Sequence, residues 1–137
     1  MDIEATMHSL GITPPDPNWY MDTGATSHMT SAPGNLTSYF NLSNNRGITV
    51  GNGQSIPIRG FGHTHLAPPN PPFALTNVLH APNLIKNLVS VRKFTTDNFK
   101  SIEFDPFRFF MKDYQTGMPL MRCESRGELY PLDTSLS

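Results

Sequence analysis

The sequence predicts a mainly β fold, a small closed or nearly closed β-barrel with one short helix. Thirteen Pro and ten Gly divide the 137 residues into short segments. Nine Phe and four Tyr are aromatic residues that favour strands. Short apolar runs separated by turn sequences recur along the chain, as in small antiparallel barrels. A chain of this length is expected to fold as one domain with a real core.

The prolines at the start of the chain predict how the domain is bounded. Pro14, Pro15 and Pro17 block regular structure, so residues 1–17 are expected to be a flexible Pro-rich linker. Residues 18–133 are then the β-barrel domain, and residues 134–137 are a tail.

Apolar runs between turn signals predict the strands. The expected strands are Trp19–Met21, Ile48–Val50, Ser55–Arg59, Phe73–Leu79, Ser101–Phe104, Arg108–Lys112 and Pro119–Cys123. The polar segment 27–45 is expected to be a loop with one short turn around residues 36–40. Asn52-Gly53 between two apolar arms is a strong hairpin signal, and Pro57 in the returning arm suggests an edge strand.

The segment NLIKNLVSVRKF, residues 83–94, is the best candidate for the helix. Leu84, Leu88 and Val91 approximate a stripe with the period of a helix, and Asn83 or Asn87 would cap its start.

Composition argues against several classes of function. The net charge is −1 without a long run of either sign, so neither nucleic acid nor a membrane is an expected partner. Cys123 is the only cysteine and is expected to be a buried or bystander thiol, which favours a reducing, cytoplasmic compartment. His63 and His65 share one face of a strand and could be joined by His28 or His80, but their spacing lacks a familiar metal-site pattern. We therefore expect no metal.

Asp22 is the candidate for chemistry. It follows the apolar run Trp19–Met21 and begins a turn of small residues, Thr23, Gly24 and Ala25, where glycine would relieve a backbone clash. Asp, Thr and Gly also form ordinary turns, so the tripeptide alone does not decide between a site and a turn.

Carboxylate chemistry on a peptide bond needs two acids. Carboxylates about 3 Å apart share one proton, so one activates the attacking water while the other protonates the carbonyl oxygen. The chain has a single Asp-Thr-Gly. A second acid would come from another copy, which predicts a two-fold homodimer across the Asp22 loop.

Four blocks together resemble a known family. WYMDTGATSHMT, ITVGNGQSIPIRGFG, NVLHAPNLIKNLVSV and the closing KDYQTG…RGELYPL resemble in order and spacing the retroviral-type aspartic protease. They are most similar to the protease-region β-barrel of plant copia-type retrotransposon Gag-Pol polyproteins. The resemblance implies that Asp22 is catalytic, that Thr23 bonds across the dimer axis, that Gly24 permits close approach and that Ala25 lines the substrate backbone.

The resemblance also implies roles for two further segments. The flap that closes over the peptide would be formed by Val50, Gly51, Asn52, Gly53 and Gln54. Leu84 and Ile85 would cross beneath the active-site loop, and Asn87 would open the following helix. Lys86 stands where the retroviral pattern has a glycine.

The function implied by this resemblance is an aspartic endopeptidase that processes its own retrotransposon polyprotein. Its partners would be a second copy and a polyprotein peptide, with no cofactor, in a cytoplasmic virus-like particle. The alternative is a catalytically silent β-barrel, serving as a polyprotein spacer or as a host-adopted interaction module.

Overall fold

The computed structural model of the chain describes residues 16–49, 53, 55–66 and 73–132, which form two β-sheets and one α-helix. The strands are β1 (Trp19–Asp22), β2 (Met29–Thr30), β3 (Ser38–Thr49), β4 (Ser55–Leu66), β5 (Phe73–His80), β6 (Asn87–Ser90), β7 (Lys100–Asp105), β8 (Arg108–Asp113), β9 (Pro119–Glu124) and β10 (Pro131–Leu132). The helix is α1 (Val91–Asn98), and a single 3₁₀ turn spans Pro33–Asn35. No helix among these residues is both long and apolar enough to cross a lipid bilayer.

The larger sheet has seven strands in the order β10-β1-β6-β2-β5-β4-β3, and the smaller one has the order β7-β8-β9. The expected mainly β fold with one α-helix is confirmed. A closed barrel is not found among the described strands, because β10 and β3 form the two edges of the larger sheet and do not pair with each other. The expected strands of the last third are confirmed as β7, β8 and β9.

Strand β1 lies inside the larger sheet. It pairs in parallel with β6 on one side and antiparallel with β10 on the other. Trp19, Tyr20 and Met21 are all buried, since a strand covered on both faces has no solvent side to alternate with. The carboxyl end of β1 is thereby held at a fixed place in the sheet.

Strands β3 and β4 form a longer hairpin than the sequence predicts. The expected arms pair as proposed, with Ile48 opposite Ile56, but β3 already begins at Ser38. The loop predicted for residues 27–45 is therefore wrong at Met29–Thr30, which forms β2, and again from Ser38 onward, where hydrogen bonding to β4 outweighs the weak strand preference of Ser and Asn. A Cβ at Gly62 would overlap with the Ser38 carbonyl oxygen, so this close approach of the strands requires glycine.

The predicted edge position of Pro57 holds at its own end of β4. Pro57 is paired with Gly47 of β3, whereas pairing with β5 begins only at Gly60. The proline therefore needs no donor on its second side.

The helix prediction is wrong in its first half. Residues 81–86 form a connection with a turn in which Leu84 N donates to the Ala81 carbonyl oxygen at 3.0 Å, Asn87–Ser90 is strand β6, and α1 begins at Val91. Neither Asn83 nor Asn87 is the cap, because the Ser90 hydroxyl accepts the Lys93 N–H at 3.3 Å. The buried Asn87 side chain instead accepts a hydrogen bond from Thr30 Oγ1 at 2.7 Å, and this distant contact holds the segment as a strand.

One hydrophobic core connects both sheets and the helix. Phe94 of α1 is fully buried and meets Phe73 edge to face, with ring centroids 5.1 Å apart. The same core includes β1 through Trp19 and the smaller sheet through Phe109 and Cys123. Cys123 is fully buried, as expected.

Phe99 provides a test of the backbone at the end of α1. It occupies the left-handed region with φ = 53°, while its ring is 67 % exposed. Phe99→Gly and Phe99→Ala remove the same exposed ring, but only glycine relieves the positive φ. We expect the Gly variant to be more stable than the Ala variant by roughly 1 kcal/mol in urea unfolding. Equal stability of the two variants would contradict the backbone conformation described here.

Candidate active site

Asp22 is the last residue of β1, and its carboxylate is oriented by the turn that follows. Asp22 Oδ1 accepts the Gly24 N–H at 2.8 Å, and Ala25 N donates to the Asp22 carbonyl oxygen at 3.4 Å. Asp22 and Ala25 are half-buried, whereas Thr23 and Gly24 are exposed. Thr23 Oγ1 makes no hydrogen bond to any residue that the structure describes. The four residues predicted for the loop therefore form one exposed turn around the acid.

The backbone clash predicted for a Cβ at Gly24 is not found. Its φ is not in the left-handed region, and an added Cβ would lie 3.4 Å from Asp22 Oδ1, which is ordinary van der Waals contact. The turn is stabilised by the Asp22 carboxylate itself rather than by glycine's conformational freedom.

A cleft of about 500 Å³ opens beside Asp22. It is lined by Tyr20, Met21, Asp22, Thr23, Lys86, Leu88, Phe104, Glu128, Leu129 and Tyr130. Sequence reasoning missed the contribution of Phe104, Glu128 and Tyr130, because these residues lie far from Asp22 in the chain. The sequence offered one signal, the apolar residues that follow the turn at Gly127. Apolar residues beside a turn are expected to pack against another surface of the fold.

The cleft has charged residues on two sides. Glu128 is an exposed carboxylate, and Lys86 lies 3.8 Å from Asp16 and 5.2 Å from the centre of the Tyr20 ring. Tyr20 Oη donates to Asp16 Oδ2 at 2.8 Å. Burial raises the pKa of Asp16, but hydrogen bonds from Tyr20 and Asn18 outweigh burial and hold that pKa below its usual value. Burial and the Asp16 carboxylate raise the pKa of Tyr20.

The expectation for Leu84 and Ile85 is wrong. The two residues lie in the turn before β6, and Ile85 is 66 % exposed. The segment that passes beside the acid is β6 itself, with Ser90 in register with Asp22. Because Asn87 was expected to begin the helix, the segment beside the acid was expected at Leu84 and Ile85, which precede its observed position in β6.

His28 lies directly behind the Asp22 loop. It is fully buried, and its Nδ1 accepts the Ser90 N–H at 2.9 Å. Its Nε2 has no hydrogen-bond partner among the described residues. Burial and, to a smaller degree, the Lys93 ammonium lower the pKa of His28 from 6.5 to about 4, against the opposing effect of Asp97. The ring is therefore neutral at physiological pH.

The remaining predicted groups are only partly described. Among the flap residues, Val50, Gly51, Asn52 and Gln54 lie outside the described residues, while Gly53 is exposed with φ = 85°. His63 Nδ1 accepts the Asn77 N–H at 3.1 Å. Within the described part of the chain, no three His, Cys, Asp or Glu side chains are grouped so that they could hold a metal ion.

Comparison with known proteins identifies the family. Residues 19–99 match the family "Pol polyprotein, beta-barrel domain". The chain is 40 % identical over 113 residues to the retrovirus-related Pol polyprotein from transposon RE1 of Arabidopsis thaliana, a match that covers 82 % of this chain. It is 37 % identical over the same length, again 82 % of this chain, to the corresponding polyprotein from transposon RE2.

The matched region spans 8 % of the length of each of these two relatives. No solved structure matches the chain. The family match includes β1, the Asp22 loop, the β3–β4 hairpin, β6 and α1. The chain belongs to the family of beta-barrel domains of retrotransposon Pol polyproteins.

Proposed function

We propose that this domain is an aspartic endopeptidase that processes the retrotransposon Pol polyprotein, acting as a homodimer with one Asp22 from each subunit. The observation that carries the proposal is the setting of Asp22. A buried strand ends in a carboxylate held by the Gly24 N–H at 2.8 Å, beside a cleft of about 500 Å³. A cleft of this size accommodates several side chains of an extended peptide.

The reaction is water attack on a peptide carbonyl. One Asp22 carboxylate takes a proton from the attacking water, and the protonated carboxyl of the second Asp22 donates to the carbonyl oxygen. The first Asp22 then gives its proton to the leaving nitrogen as the bond between carbonyl carbon and nitrogen breaks, and the second Asp22 takes back a proton from a hydroxyl of the tetrahedral intermediate. The pair titrates as one unit, because two carboxylates about 3 Å apart share a proton.

The exposure of the loop supports a site shared between two copies. Thr23 and Gly24 face solvent at the end of β1, so a second loop can approach without moving the core. Thr23 also offers a hydroxyl that is not bonded to any described residue of its own chain. In the proposed dimer this hydroxyl bonds to the partner loop.

Glu128 gives the proposal a competitor within one chain. It lines the same cleft as Asp22, so an acid pair formed by these two residues would need no dimer. The Asp22 carboxylate is fixed by a backbone N–H, whereas Glu128 is exposed and makes no hydrogen bond to the described residues. Acid–base chemistry favours the group with the fixed position.

The second candidate is a catalytically silent polyprotein module. It is favoured by the segment before and within β10, which covers one side of β1 through Met21 N donating to the Tyr130 carbonyl oxygen at 2.9 Å. If this segment prevents two Asp22 loops from meeting, the fold remains while the chemistry is lost.

Substitution of the acid tests the chemistry. In a polyprotein fragment that contains this domain, Asp22→Asn is expected to reduce self-cleavage by roughly 10²- to 10⁴-fold, because the amide cannot exchange the proton. Glu128→Gln tests the competing single-chain pair, and the control is Glu103→Gln, an exposed carboxylate that does not line the cleft, which leaves cleavage within about twofold. Cleavage is followed by gel electrophoresis between about pH 4 and 7. Equal processing by wild type and Asp22→Asn would overturn the enzyme proposal, and loss in Glu128→Gln would favour the single-chain pair.

Mixing of subunits tests the homodimer. Equal amounts of wild-type and Asp22→Asn protein, allowed to exchange at constant total concentration, form about one quarter wild-type dimers if pairing is random. Cleavage of an added peptide substrate should then fall to about one quarter of the pure wild-type rate. Independent monomers would retain about one half, and that result would contradict the shared site.

A further inference from the structure

His28 and Ser90 together close the base of the Asp22 loop. Asp22 at the beginning of the loop is in register with Ser90, and His28 at its end accepts the Ser90 N–H at 2.9 Å. Both ends of the loop are therefore fixed to the same residue of β6. The His28 carbonyl oxygen also accepts the Leu79 N–H at 2.9 Å, which fixes the backbone of His28 to β5.

The bond to His28 replaces a missing part of the helix cap. Ser90 is the residue that caps α1, and its own N–H lies outside the helical hydrogen-bond pattern. In a capping box, a Glu or Gln three residues later accepts this N–H. Here the residue at that position is Lys93, which can only donate. His28 provides the acceptor from a distant part of the chain.

Only the neutral ring can make this bond. Ser90 N is a donor, so His28 Nδ1 must carry no proton and Nε2 must carry it. The charged groups that act on the ring are Lys93 and Asp97, both on α1, and no charged group of the described strands contributes to the shift of its pKa. A second proton would place an N–H opposite an N–H in a fully buried position.

We propose that His28 is a positioning residue of the active site: its neutral ring fastens the Asp22 loop to Ser90, and protonation of the ring releases the loop. This inference rests on the proposed function for its catalytic consequence. The hydrogen bond between His28 and Ser90 that holds the loop is a property of the fold and is measured without any substrate.

Two substitutions separate the hydrogen bond from the packing. His28→Phe retains a buried ring but has no acceptor, so the Ser90 N–H is left unpaired. His28→Asn retains an acceptor at the δ position but leaves a cavity where the ring was. If His28 only fills space, the Asp22 loop should stay ordered in His28→Phe, which keeps the ring. If His28 positions the loop through its hydrogen bond, the loop should stay ordered in His28→Asn, which keeps the acceptor.

Amide hydrogen exchange measures directly how strongly the hydrogen bond to His28 protects the Asp22 loop and Ser90. We expect exchange at Ser90 and Gly24 to accelerate by roughly ten- to a hundredfold in His28→Phe, relative to core amides of the same variant. His28→Asn should keep these two amides within about threefold of wild type, even though it unfolds at lower urea. Equal exchange of both amides in the Phe variant and in wild type would overturn the positioning role.

The ring itself provides a measurement that needs no variant. The ¹⁵N chemical shifts of the imidazole in wild-type protein should show a bare Nδ1 and a protonated Nε2 at pH 7. The opposite tautomer, or a charged ring, would overturn the proposal.

Cleavage kinetics link the fastening to catalysis. We expect His28→Phe to lower kcat for a peptide substrate by roughly tenfold with a smaller change in KM, and His28→Asn to recover most of the loss. Unchanged kcat in His28→Phe would refute the positioning role and leave the protease proposal intact. Absence of cleavage by wild type would refute the protease proposal, while the exchange and tautomer measurements would still decide the fastening.

The pH dependence of stability is a separate prediction. The pKa of His28 is lowered to about 4 in the fold from an ordinary 6.5. The contribution of His28 to the free energy of unfolding is therefore complete above pH 6.5 and is lost as the pH falls toward 4. Over that range the unfolding equilibrium constant should rise by up to roughly two orders of magnitude because of this residue.

Urea unfolding of wild type and His28→Phe at several pH values checks this slope. In the Phe variant, most of the decrease in the free energy of unfolding between pH 6.5 and 4 should be absent. A smaller decline should remain, since burial and Arg59 also lower the pKa of His80. Parallel pH profiles of the two proteins would contradict the assignment to His28.

Discussion

Insertion of β6 between β1 and β2 is the constraint on which the rest of the fold depends. Its four residues pair in parallel with β1, the strand that carries Asp22, and Leu88 also pairs antiparallel with Met29 of β2, the strand that follows the Asp22 loop. Because β6 comes from far downstream, β1 and β2 must leave a place between them, and the intervening strands β3, β4 and β5 extend the sheet on the far side of β2. Its last residue, Ser90, also caps α1, so the sheet, the loop and the helix are fixed relative to one another at one point.

Local signals in the sequence predict what depends on neighbouring residues. The Asn-Gly pair predicts the β3–β4 hairpin, and short apolar runs predict β5 and the three strands of the smaller sheet. The Asp22 turn is recognised because all of its residues are contiguous. The flap formed by Val50, Gly51, Asn52, Gly53 and Gln54 remains a prediction.

Contacts between distant residues explain what the sequence does not predict. Residues 83–94 have apolar residues at helical spacing, but the buried side chain of Asn87 accepts a hydrogen bond from Thr30, which a local pattern does not reveal. The role of His28 is likewise not predictable from the sequence, because no neighbouring residue indicates that its ring accepts a hydrogen bond from a backbone N–H of β6. The wall of the cleft that includes Tyr130 likewise depends on the return of the chain to β1.

The pairing of β10 with β1 has a consequence for a domain within a longer polyprotein. Trp19 and Leu132 are register partners, so the chain enters and leaves the fold at neighbouring points on one sheet edge. Any segment joined to either end of the described fold would therefore be tethered near the strand that carries Asp22, at a high effective concentration. Cleavage of either flanking sequence would leave the sheet complete, because the strands that hold the domain together lie between those two points.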